Sequence, residues 1–174
     1  NTMANTTFSG PVISKNGFVT TGPDMTVSLT ADTTLTVAAH AGKILLCNDA
    51  DGKFTLPSIN VNSNGATAGD NDFNNLNNIG ASFHFFVETA ATDMDILTDG
   101  TDKFKGSILV SVDDGTIKGF VPGASNDVIT MNGSTKGGIA GSVVSFTAID
   151  TATYMVHNSL LIGSGTIETP FADA

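Results

Sequence analysis

From residue 25 onward, apolar and polar residues alternate with a period of two along most of the chain. Met25, Val27 and Leu29 alternate with Thr and Ser, and Leu35, Val37 and Ala39 follow the same rule. This spacing puts every second side chain on one face and predicts strands buried on one side. Ala41-Gly42 breaks the pattern before Ile44-Leu45-Leu46, and Asp51-Gly52 separates that run from Phe54 to Leu56. An Asp-Gly pair between two apolar runs predicts a tight hairpin in which both central residues take positive φ. In SFHFFVE, Phe83, Phe85 and Val87 share one face, while His84, Phe86 and Glu88 share the other. The second face is mixed, so partial cover is expected there, as at a subunit contact. Asp99-Gly100 marks a turn, and Asp114-Gly115 joins Ile108–Val112 to Ile117–Val121. Val128 to Met131 runs into the hairpin pair Asn132-Gly133; Val143–Ala148, Thr153–His157 and Leu160–Ile162 complete the series. The pattern predicts an all-β fold, an antiparallel β-sandwich or barrel of about ten short strands.

Two stretches depart from this pattern. Residues 1–24 carry apolar Phe8, Pro11, Val12, Ile13, Phe18 and Val19, but Gly10, Pro11, Gly17, Gly22 and Pro23 interrupt every regular element. This reads as an extended arm ahead of a single β domain, 25–174, and its apolar groups are expected to dock on something. Residues 58–81 form an Asn- and Asp-rich stretch with Phe73, Leu76 and Ile79 three apart. It reads as a long surface loop with a small apolar anchor.

Composition supports the β assignment. The 174 residues include 24 Thr, 19 Gly, 15 Asn and 15 Asp against two Glu, types that favour strands and turns over helix interiors. The seven basic residues are all Lys, and the net charge is -10. Nucleic-acid binding needs a basic face to replace the counterions of phosphates, and none can be assembled here. Arginine clamps for phosphate or carboxylate are excluded. Cys47 is the only cysteine, so no disulfide forms within the chain. Its place after Leu45-Leu46 marks it as a small core residue. No apolar run reaches the roughly 18 residues of a membrane span, and no signal-peptide pattern is visible.

Candidate chemistry is sparse. Asp70, Asp72 and Asn74 start with EF-hand spacing, but position six is Asn75 and position twelve is Ala81, so the turn glycine and bidentate carboxylate are missing. Asp93, Asp95 and Asp99 fail in the same way. His40, His84 and His157 lack zinc-ligand spacing. No GxSxG elbow, Walker A or GxGxxG motif is present. Glu88 and Glu168 are not placed together by any one element. Lys136-Gly137-Gly138 follows a hairpin turn rather than opening a helix. No catalytic, metal or cofactor site is expected, and the protein is not expected to be an enzyme.

Several strings are informative in combination. TFSGPVISKNGF opens the chain, followed in order by AGKILL, FTLP, FHFFV, DDGTIKGF, NDVITMNGSTKGG and GSGTIETPFADA. In this order they resemble a family of tailed-phage, marine-type virion structural proteins that act as head decoration or capsid-associated proteins. The stretch from Ser58 to Ser82 departs from the family as an insertion. The resemblance implies a cement protein that binds the outer surface of the major capsid protein lattice and stabilises the mature head. It implies a homo-oligomer, a trimer being favoured, on the virion's outer capsid surface, assembled in the bacterial host cytoplasm without nucleic-acid or membrane partners. The absence of disulfides suits that reducing compartment. Within the arm, Phe8, Pro11, Val12 and Phe18 are the expected capsid-docking residues. The alternative is a tail, fibre or head-fibre component that recognises a host surface glycan.

Overall fold

The computed structural model describes residues 25–60 and 77–174. The expected arm, 1–24, and the expected docking residues Phe8, Pro11, Val12 and Phe18 lie outside the described residues, as do Asp70, Asp72, Phe73, Asn74 and Leu76. In chain order the elements are β1 (Thr26–Leu29), β2 (Thr33–Thr34), α1 (Val37–His40), β3 (Ile44–Cys47), β4 (Lys53–Thr55), β5 (Ser82–Val87), β6 (Met94–Leu97), β7 (Lys103–Gly106), β8 (Ile108–Ser111), β9 (Ile117–Phe120), β10 (Val128–Met131), β11 (Val143–Ala148), β12 (Thr153–Ile162) and β13 (Phe171–Ala172). They build two sheets. The eight-stranded sheet has the order β1-β3-β5-β11-β12-β8-β9, with β7 also pairing β12; the five-stranded sheet has the order β13-β10-β6-β4-β2.

The fold is all-β as expected, and of the sandwich and barrel left open by the sequence it is the sandwich. Buried residues of both sheets, among them Leu45, Phe83, Phe85, Phe146 and Tyr154 from the large sheet and Phe54, Ile96, Ile129 and Met131 from the small one, join in one apolar core. The Phe54 and Phe85 rings stack across the two layers at 6.3 Å. Tyr154 is fully buried, and its hydroxyl donates to the Pro57 carbonyl at 2.6 Å, the partner a buried phenol needs.

The pairing corrects the expectation of antiparallel sheets. β1–β3, β3–β5, β2–β4, β4–β6 and both partners of β12 on its far side, β7 and β8, run parallel. The cause is visible at Asp51-Gly52. This turn does not close a hairpin; it carries the chain from β3 in the large sheet to β4 in the small one. Gly52 lies outside the left-handed region that the hairpin turn requires. Crossing between layers lets the apolar faces of consecutive runs meet across the core instead of lying side by side. Asp99-Gly100 likewise passes from β6 to β7, and Asn132-Gly133 leads out of β10 without pairing it to β11. Asp114-Gly115 does close the expected hairpin: β8 and β9 pair antiparallel, with Gly115 at φ 84°.

Two further expectations are corrected. There are thirteen strands among the described residues rather than about ten, because β2, β6, β7 and β13 are too short or too mixed to show a period. Leu35, Val37 and Ala39 do not share a strand. Val37–His40 forms one helical turn, with the Thr36 hydroxyl accepting from the Ala39 N–H at 3.3 Å, a normal N-cap. The Thr36 N–H also donates to His40 Nδ1 at 2.9 Å, closing the turn on itself.

Candidate functional site

The two sheets differ in what they show to solvent. On the small sheet, Thr130, Asp95 and Lys53 stand side by side across three strands, and Thr130 Oγ1 donates to Asp95 at 2.8 Å. That is the usual polar outer face. The large sheet presents an apolar one. Its register aligns Ser28, Leu46, Phe86, Val143, Leu160, Leu109 and Gly119 in one row across seven strands. Leu46 and Val143 are half-buried, while Phe86, Leu160 and Leu109 are exposed by 36%, 41% and 43%. Exposed Ile44 and Ile117 extend the patch at either end, and Met155 lies beside it. A connected patch of this kind marks an interaction surface, whereas single exposed apolar residues do not.

The next row reads Thr26, Ile44, His84, Ser145 and His157. His84 Nδ1 pairs with Ser145 Oγ at 2.9 Å, and His157 Nε2 with Thr147 Oγ1 at 2.8 Å. Thr147 Oγ1 also meets Ser82 Oγ at 2.7 Å. At the far rim, Asn48 Nδ2 donates to Ser28 Oγ at 2.9 Å and to Glu88 at 2.6 Å. The polar side chains on this face therefore satisfy one another. The mixed second face read from SFHFFVE is this surface.

Burial, followed by repulsion from His84, lowers the His157 pKa below its usual value. Burial also lowers that of His40, with Lys43 adding to it against a backbone hydrogen bond to Thr36. A histidine whose folded pKa is depressed contributes stability that is complete above the unfolded value, near 6.5, and is lost as pH falls through the folded one. Thermal stability is therefore expected to fall between pH 7.5 and pH 5.5. His157→Gln should make that fall smaller. Melting curves at the two pH values, followed by circular dichroism, check this; an equal fall in the variant would contradict it.

The remaining candidates serve the fold. Cys47 is fully buried, and burial, with Glu88 adding to it, pushes its thiol up to about 12. It is the expected core residue, held as an inert thiol. Asp99 accepts from the N–H groups of Thr101 and Asp102 and from Ser58 Oγ, which is turn work. Asp93 and Asp99 lie in loops, and Asp95 is committed to Thr130. Glu88 is held by Asn48, whereas Glu168 accepts from Thr135 Oγ1 at 3.1 Å. Among the described residues, no three His, Cys, Asp or Glu side chains are grouped to hold a metal. No described helix is long and apolar enough to cross a membrane.

Sequence reasoning missed two buried carboxylates and the anchor of the long loop. Buried Asp127 pairs with Lys103 at 2.5 Å. Burial opposes its charge, but the Lys103 ammonium and the Ala174 N–H outweigh that and hold its pKa low. Buried Asp102 accepts the Ile59 N–H at 2.8 Å; burial raises its pKa and Asp99 and Asp150 add to this, despite that bond. Of the expected apolar anchor only Ile79 is described, and it is exposed, whereas Asn78 beside it is buried. Asn78 donates to the Ser58 carbonyl and accepts from the Asn60 N–H, each at 2.8 Å. Asn is common in that stretch, so nothing in the sequence set this one apart. A depression of about 460 Å³ lies beside this anchor, lined by residues 34–36 and 57–60 and without a titratable side chain.

Compared with protein-family models, curated proteins and solved structures, the chain matches none.

Proposed function

We propose that this chain is a phage head decoration protein, binding the outer surface of the major capsid protein lattice and stabilising the mature head. The structural observation that supports the reading is a sandwich whose polar side chains on the large sheet are already engaged and whose apolar outer face suits assembly of copies, with contact to the lattice assigned to residues 1–24. Such a body is built for contact rather than turnover. Residues 1–24, read as an apolar arm, directly precede edge strand β1 in the chain, and in this reading they grip the lattice. The resemblance of the ordered strings to virion proteins points the same way. Cementing then works by mass action: many weak contacts, each made only with the mature shell, add up to a large stabilisation. A glycan-binding tail or fibre role draws less support, because Tyr154, the single Tyr of the chain, is buried and Trp is absent.

Deleting residues 1–20 tests the docking assignment of Phe8, Pro11, Val12 and Phe18. The truncated protein is expected to keep its β-type circular dichroism and to lose cosedimentation with mature heads. Full retention of capsid binding would overturn the assignment.

A further inference from the structure

We propose that the outer face of the large sheet is a homodimer interface, covered by the same face of a second copy around a two-fold axis near Val143. Charge selects this occupant. The chain carries 17 acidic residues and a net charge of -10, so two copies repel through most orientations. Yet none of the eight strands of the large sheet contains an Asp or a Glu. Glu88 stands only at the rim of this face, held by Asn48, so its strands are where two such molecules can meet with the fewest opposing carboxylates. The small sheet, with Asp95 in its outward row, offers no equivalent.

The row is also self-complementary. Val143 is the fourth of its seven positions, with Phe86 and Leu46 on one side and Leu160 and Leu109 on the other. A two-fold axis through Val143 lays Phe86 on Leu160 of the partner subunit and Leu46 on Leu109 of the partner subunit. Two-fold interfaces are isologous, so one patch serves both copies. Two aligned sheet faces pack about 10 Å apart at about 30°, close enough for these side chains to interdigitate. Burial strands few polar groups, because His84, Ser145, Thr147, His157 and Ser82 are already hydrogen-bonded within the face. A face-to-face pair is two-fold, so the assembly is built from dimers rather than the trimer that the resemblance implies. The inference does not depend on capsid binding.

The full-length protein, analysed by sedimentation equilibrium up to about 100 µM, the range in which weak pairs form, is expected to reach twice its 17.8 kDa mass. A Phe86→Asp, Leu160→Asp variant puts carboxylates at two exposed positions and is expected to stay folded and monomeric. Its dissociation constant should rise by at least about 100-fold. Val143→Cys provides a test of geometry. A cysteine near the axis faces its copy across about 10 Å, beyond the reach of a direct disulfide, so a short thiol-to-thiol cross-linker should join the two copies, and buried Cys47 should not compete. A monomeric wild type over the whole range, as when the arm covers this face within one copy, would overturn the proposal. So would a folded double variant that remains dimeric, or a failure of Val143→Cys to cross-link.

Discussion

Gly106→Ala is expected to destabilise the protein by about 2–6 kcal/mol, combining backbone strain of about 1–3 kcal/mol with overpacking of similar size. The long strand β12 bends where Asn158 takes φ 45°. β7 and β8 lie parallel to its two halves, and the chain steps from one to the other at Gly106 and Ser107. Gly106 sits at φ 123°, and a Cβ there would stand 2.3 Å from the Val156 carbonyl oxygen. That oxygen is backbone in the middle of the sheet and cannot move aside as a side-chain tip can. Alanine must therefore break the Gly106–Val156 register, and with it the step that keeps two strands on one neighbour. The melting temperature should drop by roughly 5–15 °C. Gly115→Ala provides the contrast. Its φ of 84° strains alanine, but its Cβ would meet nothing within 4 Å. It should cost clearly less; equal melting temperatures for the two variants would contradict this account of the step.

Phe146→Ala is expected to cost about 3–5 kcal/mol, the usual range for removing a fully buried aromatic side chain. Phe146 on β11 has no exposure. Its ring meets Phe85 edge-on at 5.7 Å and Phe104 at 5.2 Å. Phe85 in turn stacks on Phe54 of the opposite sheet. The ring therefore joins β5, β7 and β11 within the large sheet and, through Phe85, the two layers. Alanine leaves a cavity that the rigid strands cannot close. Urea denaturation at fixed protein concentration measures the loss, and a value below about 1 kcal/mol would contradict the placement of Phe146 at the centre of the core.

These two positions show how unevenly the fold could be read from the chain. The burial of Phe146 follows from alternation in Val143–Ala148, a local pattern. The role of Gly106 does not, because it depends on Val156, fifty residues later. The same division runs through the sheets. Phe83, Phe85 and Val87 announce their buried face, whereas nothing local tells Asp51-Gly52 from Asp114-Gly115. One pair sends the chain across the sandwich, the other closes a hairpin. The difference is made by where Phe54 finds its partner. β6 and β7 were illegible because Asp95, Lys103 and Lys105 interrupt short apolar runs. For the candidate surface, the mixed face of SFHFFVE was visible in the sequence. Its extension through Leu46, Val143, Leu160 and Leu109 was not, since a row across seven strands exists only once the register is set.

The central claim is that this protein decorates a phage head. Cosedimentation of the chain with heads of the phage proposed as its source, stripped of bound decoration protein, tests that claim most directly. Saturable binding to mature heads, at a fixed ratio to the major capsid protein and weaker on immature shells, is the predicted result. No binding to either form would contradict the account.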